Sequence, residues 1–300
     1  MATAALIRNR IKSLKGEYDR LRTGKDELLK LIDEAEIAES VYNSNAIENS
    51  TLTLKETEKI LLEMEVTRDI SLREVFEAKN LARVTEYLRE KPKEQELSKE
   101  MILLLHQMLL GNIDDKSAGR FREKNEYVRI GTFIAPQPEH IERMIEEILI
   151  EYTSDHNLYF ADKIAKFHLD FETIHPFNDG NGRIGRVLIN YQLLRLGFPA
   201  IIIRDKEKKQ YYLSFTEYRD DKKTKTMEKV LTLALTESLH KRIAYLKGQT
   251  IIKLTEYAKK IGKPAPVVLN AARRQTIPAF REKGVWKISH PEEKGQQKLL

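Results

Sequence analysis

Cysteine is absent from this chain of 300 residues, and with it go disulfides, thiolate metal sites and cysteine nucleophiles. Any chemistry falls to other groups, and the composition suits a reducing compartment. No apolar run approaches the ~18 residues of a membrane span, and the N-terminal MATAALIRNRIKSLKGEYDR lacks the continuous apolar core of a signal peptide. A cytoplasmic protein with no membrane partner is therefore expected. Repeats and low-complexity segments are lacking too. Charge is present but unevenly spread: residues 241–300 hold 14 Lys/Arg against 4 Asp/Glu, or +10, and the first 240 hold 38 against 42, or −4. The net +6 thus belongs to the tail, an asymmetry that marks a candidate nucleic-acid-binding appendage.

What is present gathers around HPFNDGNGRIGR, His175 to Arg186, a polar stretch between two apolar segments of helical period. Gly180 and Gly182 permit positive φ and close backbone approach, so that successive N–H groups form an anion seat at the start of a helix. Arg183 and Arg186, at i and i+3, share a face of that helix, and planar guanidiniums suit phosphate oxygens. Asp179 is a hard oxygen donor beside the seat, suited to Mg²⁺ held jointly with substrate phosphates. His175 is the one base in the stretch and largely neutral at pH 7. The expectation is a Mg-nucleotide site with a base able to take a hydroxyl proton.

The stretch resembles the Fic (Fido) family signature HxFx(D/E)GNGRxxR, whose eight specified positions are met by His175, Phe177, Asp179, Gly180, Asn181, Gly182, Arg183 and Arg186. The resemblance implies transfer of AMP from ATP to a protein hydroxyl. It makes His175 the base, Asp179 the Mg²⁺ ligand, and Asp179 to Arg186 the nucleotide-binding run, with Ile184 and Gly185 inside it and Arg186 reaching the γ-phosphate.

Upstream, helical text over residues 3–35 suits a docking or dimerising helix, and a second helix over about Lys25 to Ile47 ends at SNAIEN, Ser44 to Asn49. SNAIEN resembles the (S/T)xxxE(G/N) inhibitory motif of one Fic class, which assigns Ser44, Glu48 and Asn49 to inhibition and pairs Glu48 with Arg186. Thr53 with Glu56, Ser71 with Glu74, and Ser98 open capped helices, the middle one stopped by Lys91-Pro92. Val128, Ile130 and Phe133 between prolines suggest a short hairpin over 126–136, resembling the family's flap. Its Val128, Arg129, Ile130 and Gly131 are expected to pair with a target peptide by strand addition.

After the signature the pattern breaks at Gly197 and Pro199 and resumes at Tyr211-Tyr212, a pair that the resemblance places near adenine, with helix on to Leu246. From Ile251 the text reads helix, turn at Gly262-Lys263-Pro264, helix, then a hairpin ending in Val285, Trp286 and Ile288. It resembles a small winged helix-turn-helix in which Arg273, Arg274, Arg281 and Lys283 are expected to meet DNA phosphates.

The expected protein is mainly α. An N-terminal helical region, 1–95, carries the inhibitory motif 44–49; a Fic-type core, 96–246, carries the hairpin flap and the signature 175–186; a winged-helix-like domain fills 251–300. Its expected function is autoinhibited AMP transfer to a Ser, Thr or Tyr hydroxyl of a target protein and of itself, with Mg²⁺ and ATP. The alternatives are removal of AMP with Glu48 orienting water, and a transcription regulator that senses nucleotide.

Overall fold

The computed structural model describes residues 3–66, 69–90, 95–155 and 157–290. Helix α1, Ala5–Arg22, is followed by α2, Asp26–Ile47; a short α3, Leu54–Glu58, opened by the Thr53/Glu56 capping box, runs into a π-turn over Lys59–Glu63. Next come α4, Leu72–Glu90, and α5, Lys99–Leu110, whose first turn is capped by Ser98. Lys91-Pro92, the expected stop of α4, lies outside the described residues. Strands β1, Arg129–Ile130, and β2, Phe133–Ile134, form an antiparallel hairpin with Ile130 opposite Phe133. Helices α6, Ile141–Ser154, α7, Phe160–Ile174, α8, Asn181–Arg195, α9, Lys208–Asp221, and α10, Lys225–Leu246, complete the helical part. The pattern that reads as continuous to Leu246 is broken at Lys222, which takes a left-handed conformation (φ 54°) and ends α9.

Strand β3, Thr250–Lys253, α11, Leu254–Lys260, α12, Ala265–Arg273, β4, Ala279–Glu282, and β5, Val285–His290, follow. The three strands form one antiparallel sheet in the order β3-β5-β4, with Ile252 opposite Ile288 and Arg281 opposite Trp286. The sequence pattern reads as helix from Ile251 and hides β3, because four residues are too few for a period to separate strand from helix.

Packing groups the chain into two compact units. Glu36–Leu231 makes up the first, with the described start of the chain; Ala5–Ala35 and the chain from Thr232 make up the second. The expected cuts near residues 95 and 250 follow the order of the chain, whereas packing joins an N-terminal helix to the C-terminal elements.

In the first unit α8 is buried on nearly every side and packs on α4, α5 and α7. Phe167, Phe171, Ile174 and Phe177 meet Ile102, Leu105, Leu109, Ile184 and Leu188 in its core. In the second, Leu254, Ala258, Val268, Ala272, Ala279 and Ile288 form a small core. There Arg281, expected to contact phosphate, is buried, donates Nε–H to Glu237 Oε1 at 3.0 Å, and lies 4.6 Å from the Trp286 ring centroid. Burial with a paired carboxylate removes it from any ligand surface. Among the described residues no helix is long and apolar enough to cross a membrane.

Candidate active site

The signature is a loop tied at both ends. His175 ends α7 in a left-handed conformation (φ 50°), its N–H donating to Phe171 O at 2.9 Å. Asn181 closes the loop by accepting from Phe177 N–H at 2.9 Å and donating Nδ2–H to Phe177 O at 2.8 Å. Gly180, at φ 82°, is the N-cap of α8, and a Cβ there would press on Leu109 and Leu110 at 3.0 and 3.1 Å. Phe177 is fully buried and stacked on His106, with ring centroids 3.6 Å apart. His106 Nδ1 accepts from Gly119 N–H at 3.0 Å, so Nε2 carries the proton and donates to Asp179 O at 3.0 Å. Burial lowers the pKa of His106 to about 4 and keeps it a neutral strut.

The first helical turn leaves the N–H groups of Asn181, Gly182 and Arg183 beyond the reach of helix carbonyls, while Ile184 N–H already donates to Gly180 O at 2.9 Å. Ile184 is therefore removed from the expected anion seat; its side chain is fully buried. Gly185 faces inward, a Cβ there coming within 2.6 Å of Glu172 and 2.7 Å of His168.

Asp179 borders the seat. Its Oδ1 accepts from Gly180 N–H at 2.6 Å and from Arg183 Nη2 at 2.9 Å, and its Oδ2 pairs with Arg73 of α4. Burial would raise its pKa, but Arg183 and Arg73 outweigh that and hold the carboxyl below its usual range. Arg183 also meets Glu77 Oε1 at 3.1 Å. A single hard-oxygen donor, 38% exposed, beside free helix N–H groups fits Mg²⁺ held mainly through phosphates. Among the described residues no cluster of three acidic or histidine side chains offers a full protein cage.

Arg186, buried on α8, is held by the end of α2: Nε donates to Ser44 Oγ at 2.9 Å, and Nη2 to Ser44 O and Glu48 Oε1, both at 2.8 Å. Glu48 lies over the first turn of α8, where a Cβ on Gly182 would come within 2.2 Å of its Oε1. Lys208 fixes this helix end, donating to Asn49 Oδ1 at 2.8 Å and Ala46 O at 3.3 Å, and Asn49 is left-handed (φ 68°). In the structure Ser44 and Glu48 meet Arg186, whereas the Asn49 side chain meets Lys208; Ser44 to Ile47 form the last turn of α2.

Tyr211 differs from expectation. Tyr211 is 1% exposed, its hydroxyl 2.9 Å from His168 Nε2 and 3.3 Å from Arg186 Nη1, so its ring packs under Arg186 and has no open face for adenine. Tyr212 donates its hydroxyl to Ile47 O at 2.9 Å and caps α2.

His175 is mostly buried, and burial pushes its pKa down to about 4, the Glu172 backbone and the Glu48 and Asp179 charges pulling back and Arg122 adding to the depression. It is neutral at pH 7. Arg122 carries no signal in the sequence. It donates Nε–H to His175 O at 2.9 Å, Nη1–H to Glu126 O at 2.9 Å and Nη2–H to Pro136 O at 3.0 Å, so one guanidinium ties the loop to both roots of the hairpin. In the hairpin Arg129 and Gly131 are exposed, and Val128 O is used internally by Ala135 N–H at 3.0 Å. Arg73, Glu77, His106 and Glu172 are likewise silent in the sequence; none lies in a motif, and only folding brings them in.

The Fic/DOC family profile matches residues 96–193. Protein adenylyltransferase fic-1 of Caenorhabditis elegans is 33% identical over 180 residues, 58% of this chain and 35% of that protein. Protein adenylyltransferase Fic of Drosophila erecta is 28% identical over 302 residues, 94% of this chain and 59% of that protein. The chain thus spans 35–59% of the length of these curated relatives. Among solved structures, a Fic-domain-containing signaling protein from Bacteroides thetaiotaomicron aligns with a TM-score of 0.73 at 27% identity, over 80% of this chain and 98% of that one. Fic-1 of C. elegans aligns with a TM-score of 0.67 at 26% identity, over 80% and 72%. The fold is a mainly helical Fic fold with a two-strand hairpin and a C-terminal three-strand sheet.

Proposed function

We propose that this Fic/DOC family protein, related to protein adenylyltransferases at 28–33% identity, transfers AMP from ATP to a protein hydroxyl and restrains that activity with its own Glu48. The start of α8, with the N–H groups of Asn181 to Arg183, receives the phosphates. His175, neutral and with Nδ1 buried, offers Nε2 to the target hydroxyl. The hydroxyl oxygen bonds to the α-phosphorus, its proton passes to Nε2, and the bond to the leaving pyrophosphate breaks. Asp179 would hold Mg²⁺, which when bound supplies charge to neutralise the phosphates.

The observation that carries the restraint is the Glu48–Arg186 contact at 2.8 Å, reinforced by two bonds from Arg186 to Ser44. An arginine so occupied is withheld from a γ-phosphate, and a nucleotide lacking that arginine is not aligned for in-line attack. The test is incubation of wild type, Glu48→Gly and His175→Ala with Mg²⁺ and α-labelled ATP. Label should appear on protein with Glu48→Gly far more than with wild type, and not with His175→Ala. Absence of label in all three, with candidate targets present, would sink the transferase reading. Loss of AMP from pre-labelled protein that requires Glu48 would favour the reverse, hydrolytic reading.

For the second unit we propose a duplex DNA partner. Residues 250–289 hold nine Lys/Arg and two Asp/Glu, and on α12 Val267, Asn270, Arg273 and the following Arg274 are exposed, as a helix entering a major groove requires.

A further inference from the structure

Two buried polar side chains face one another behind this site. Glu172 is in the last turn of α7, and its Oε1 has no hydrogen-bond partner among the described residues. Its Oε2 is 3.9 Å from His175 Nδ1, which is otherwise faced by the backbone of Glu172 and makes no side-chain hydrogen bond among the described residues. The two residues are i and i+3, and the gap closes to hydrogen-bond length with a shift of about 1 Å. Nothing in the mechanism above uses this carboxyl, and a buried acid without a partner is costly unless it serves a purpose.

We propose that Glu172 is the positioning residue for His175: as a carboxylate it accepts a hydrogen bond from Nδ1–H and so leaves the Nε2 lone pair free for the target hydroxyl. The inference rests on the reading of His175 as base. A neutral imidazole carries one proton, and the partner of one nitrogen decides where it sits. With the proton on Nδ1 and shared with Glu172, Nε2 is an acceptor, and the imidazolium formed after proton transfer is stabilised by the adjoining carboxylate. With Glu172 protonated, its O–H donates to Nδ1 instead, the imidazole proton moves to Nε2, and the nitrogen facing the substrate has no lone pair to offer.

The charges around the pair make this a second arm of the restraint. Burial and, after it, the negative Glu48 push the Glu172 carboxyl up to about 8, with Arg186 opposing. His168 and Glu172 both line the inward side of Gly185, and Tyr211 joins them through His168; Arg122, Glu48 and Asp179 act on His175. Glu48 therefore both occupies Arg186 and favours the form of Glu172 that disarms the base, and its withdrawal relieves both.

The test starts from nucleotide-free protein labelled with ¹⁵N-histidine, the His175 signals being assigned by their loss in His175→Ala. In wild type the Nδ1–H tautomer should dominate above the carboxyl's titration near pH 8 and the Nε2–H tautomer below it, while Glu172→Leu should show no such switch. The same tautomer in both proteins at every pH would overturn the proposal, since the backbone carbonyl of Glu172 would then be the group holding Nδ1–H. In the Glu48→Gly background, Glu172→Leu should lower kcat at least about ten-fold with KM for Mg-ATP unchanged. Glu172→Gln, whose carbonyl still accepts Nδ1–H, should keep part of the rate and lose its pH dependence. An unchanged kcat in Glu172→Leu would also overturn it. If Glu48→Gly transfers no AMP at all, the functional reading falls, and the tautomer measurement still decides the role of Glu172.

Discussion

Arg73 holds the carboxylate of Asp179. The guanidinium comes from the first turn of α4, bonds Oδ2 of Asp179 and reaches Glu77 Oε1 at 3.1 Å, while Arg183 takes Oδ1 at 2.9 Å. The next residue of α4, Glu74, accepts from Thr51 N–H at 2.6 Å and Ser50 Oγ at 3.0 Å, immediately after the Glu48 turn. One helical turn therefore braces both the proposed metal ligand and the chain leaving the inhibitory segment. In this arrangement Asp179 is already neutralised, and a cation must compete with Arg73 for it.

Arg73→Ala should accordingly tighten Mg²⁺-dependent ATP binding several-fold. Arg73 is more than half exposed, so its loss should cost stability only about 0–1 kcal/mol. Titration calorimetry of ATP with and without Mg²⁺ checks this. Equal affinity in wild type and variant would mean either that Arg73 yields freely or that Asp179 does not take the metal, and Asp179→Ala separates the two.

Much of this site was legible in the sequence because its residues are contiguous. His175 to Arg186 is one loop and one helix start, and Ser44 and Glu48 share a helix face by spacing alone. What the sequence withheld are contacts made by folding: Arg122 and Arg73 are ordinary arginines until folding brings His175 and Asp179 to them, and Glu172 is one acid among many until α7 buries it. Tyr211 misled because an aromatic residue next to a site and an aromatic residue beneath it have the same local text. Arg281 misled likewise: its partner, Glu237, lies 44 residues earlier on α10. Strand β3 was too short to carry a period.

The contact between Glu48 and α8 leads to a double-mutant test. In Gly182→Ala the new Cβ would overlap Glu48 Oε1, at 2.2 Å, and crowd Arg186 Nη1, at 3.1 Å. The variant should lose about 1–3 kcal/mol. In a Glu48→Gly background most of that cost should vanish, because the overlapping atom is gone. Chemical denaturation of the four proteins measures the coupling; strictly additive losses would show that Glu48 does not rest on Gly182 in solution.

Buried titrating groups set opposite slopes of stability with pH. His106 and His175 have folded pKa values of about 4 and His168 of about 3, all below the ordinary 6.5. The unfolded chain then binds more protons between these values, so their contribution is complete above pH 6.5 and is lost as pH falls toward 4. Glu172 is the reverse: its folded value of about 8 exceeds the ordinary 4.5, so its contribution is full below 4.5 and is lost as pH rises through 8. Glu172→Gln should therefore gain stability relative to wild type as pH rises from 5 to 8, readable at about 2–4 °C in Tm per kcal/mol. A difference that stays constant over that window would mean that Glu172 is ionised in the folded protein.

The two kinds of arginine in the C-terminal segment give the last test. Arg273 and Arg274 end α12 and are exposed, whereas Arg281 is buried against Glu237. If the proposed DNA partner is right, Arg273→Ala and Arg274→Ala should each weaken binding of a duplex fragment and reduce the slope of log affinity against log salt by about 0.9 per phosphate no longer neutralised. The fold should be untouched, since neither residue belongs to the small core. Arg281→Ala should do the opposite: it strands a buried carboxylate, for which a loss of about 3–5 kcal/mol is usual, so the segment should unfold at lower denaturant. Fluorescence anisotropy at several salt concentrations, paired with denaturation of the same three variants in the full chain, separates these outcomes. Wild-type protein that fails to bind DNA at low salt removes the nucleic-acid reading and leaves α12 as a surface for protein contacts. Binding whose salt slope ignores Arg273 and Arg274 would place the DNA elsewhere on the chain.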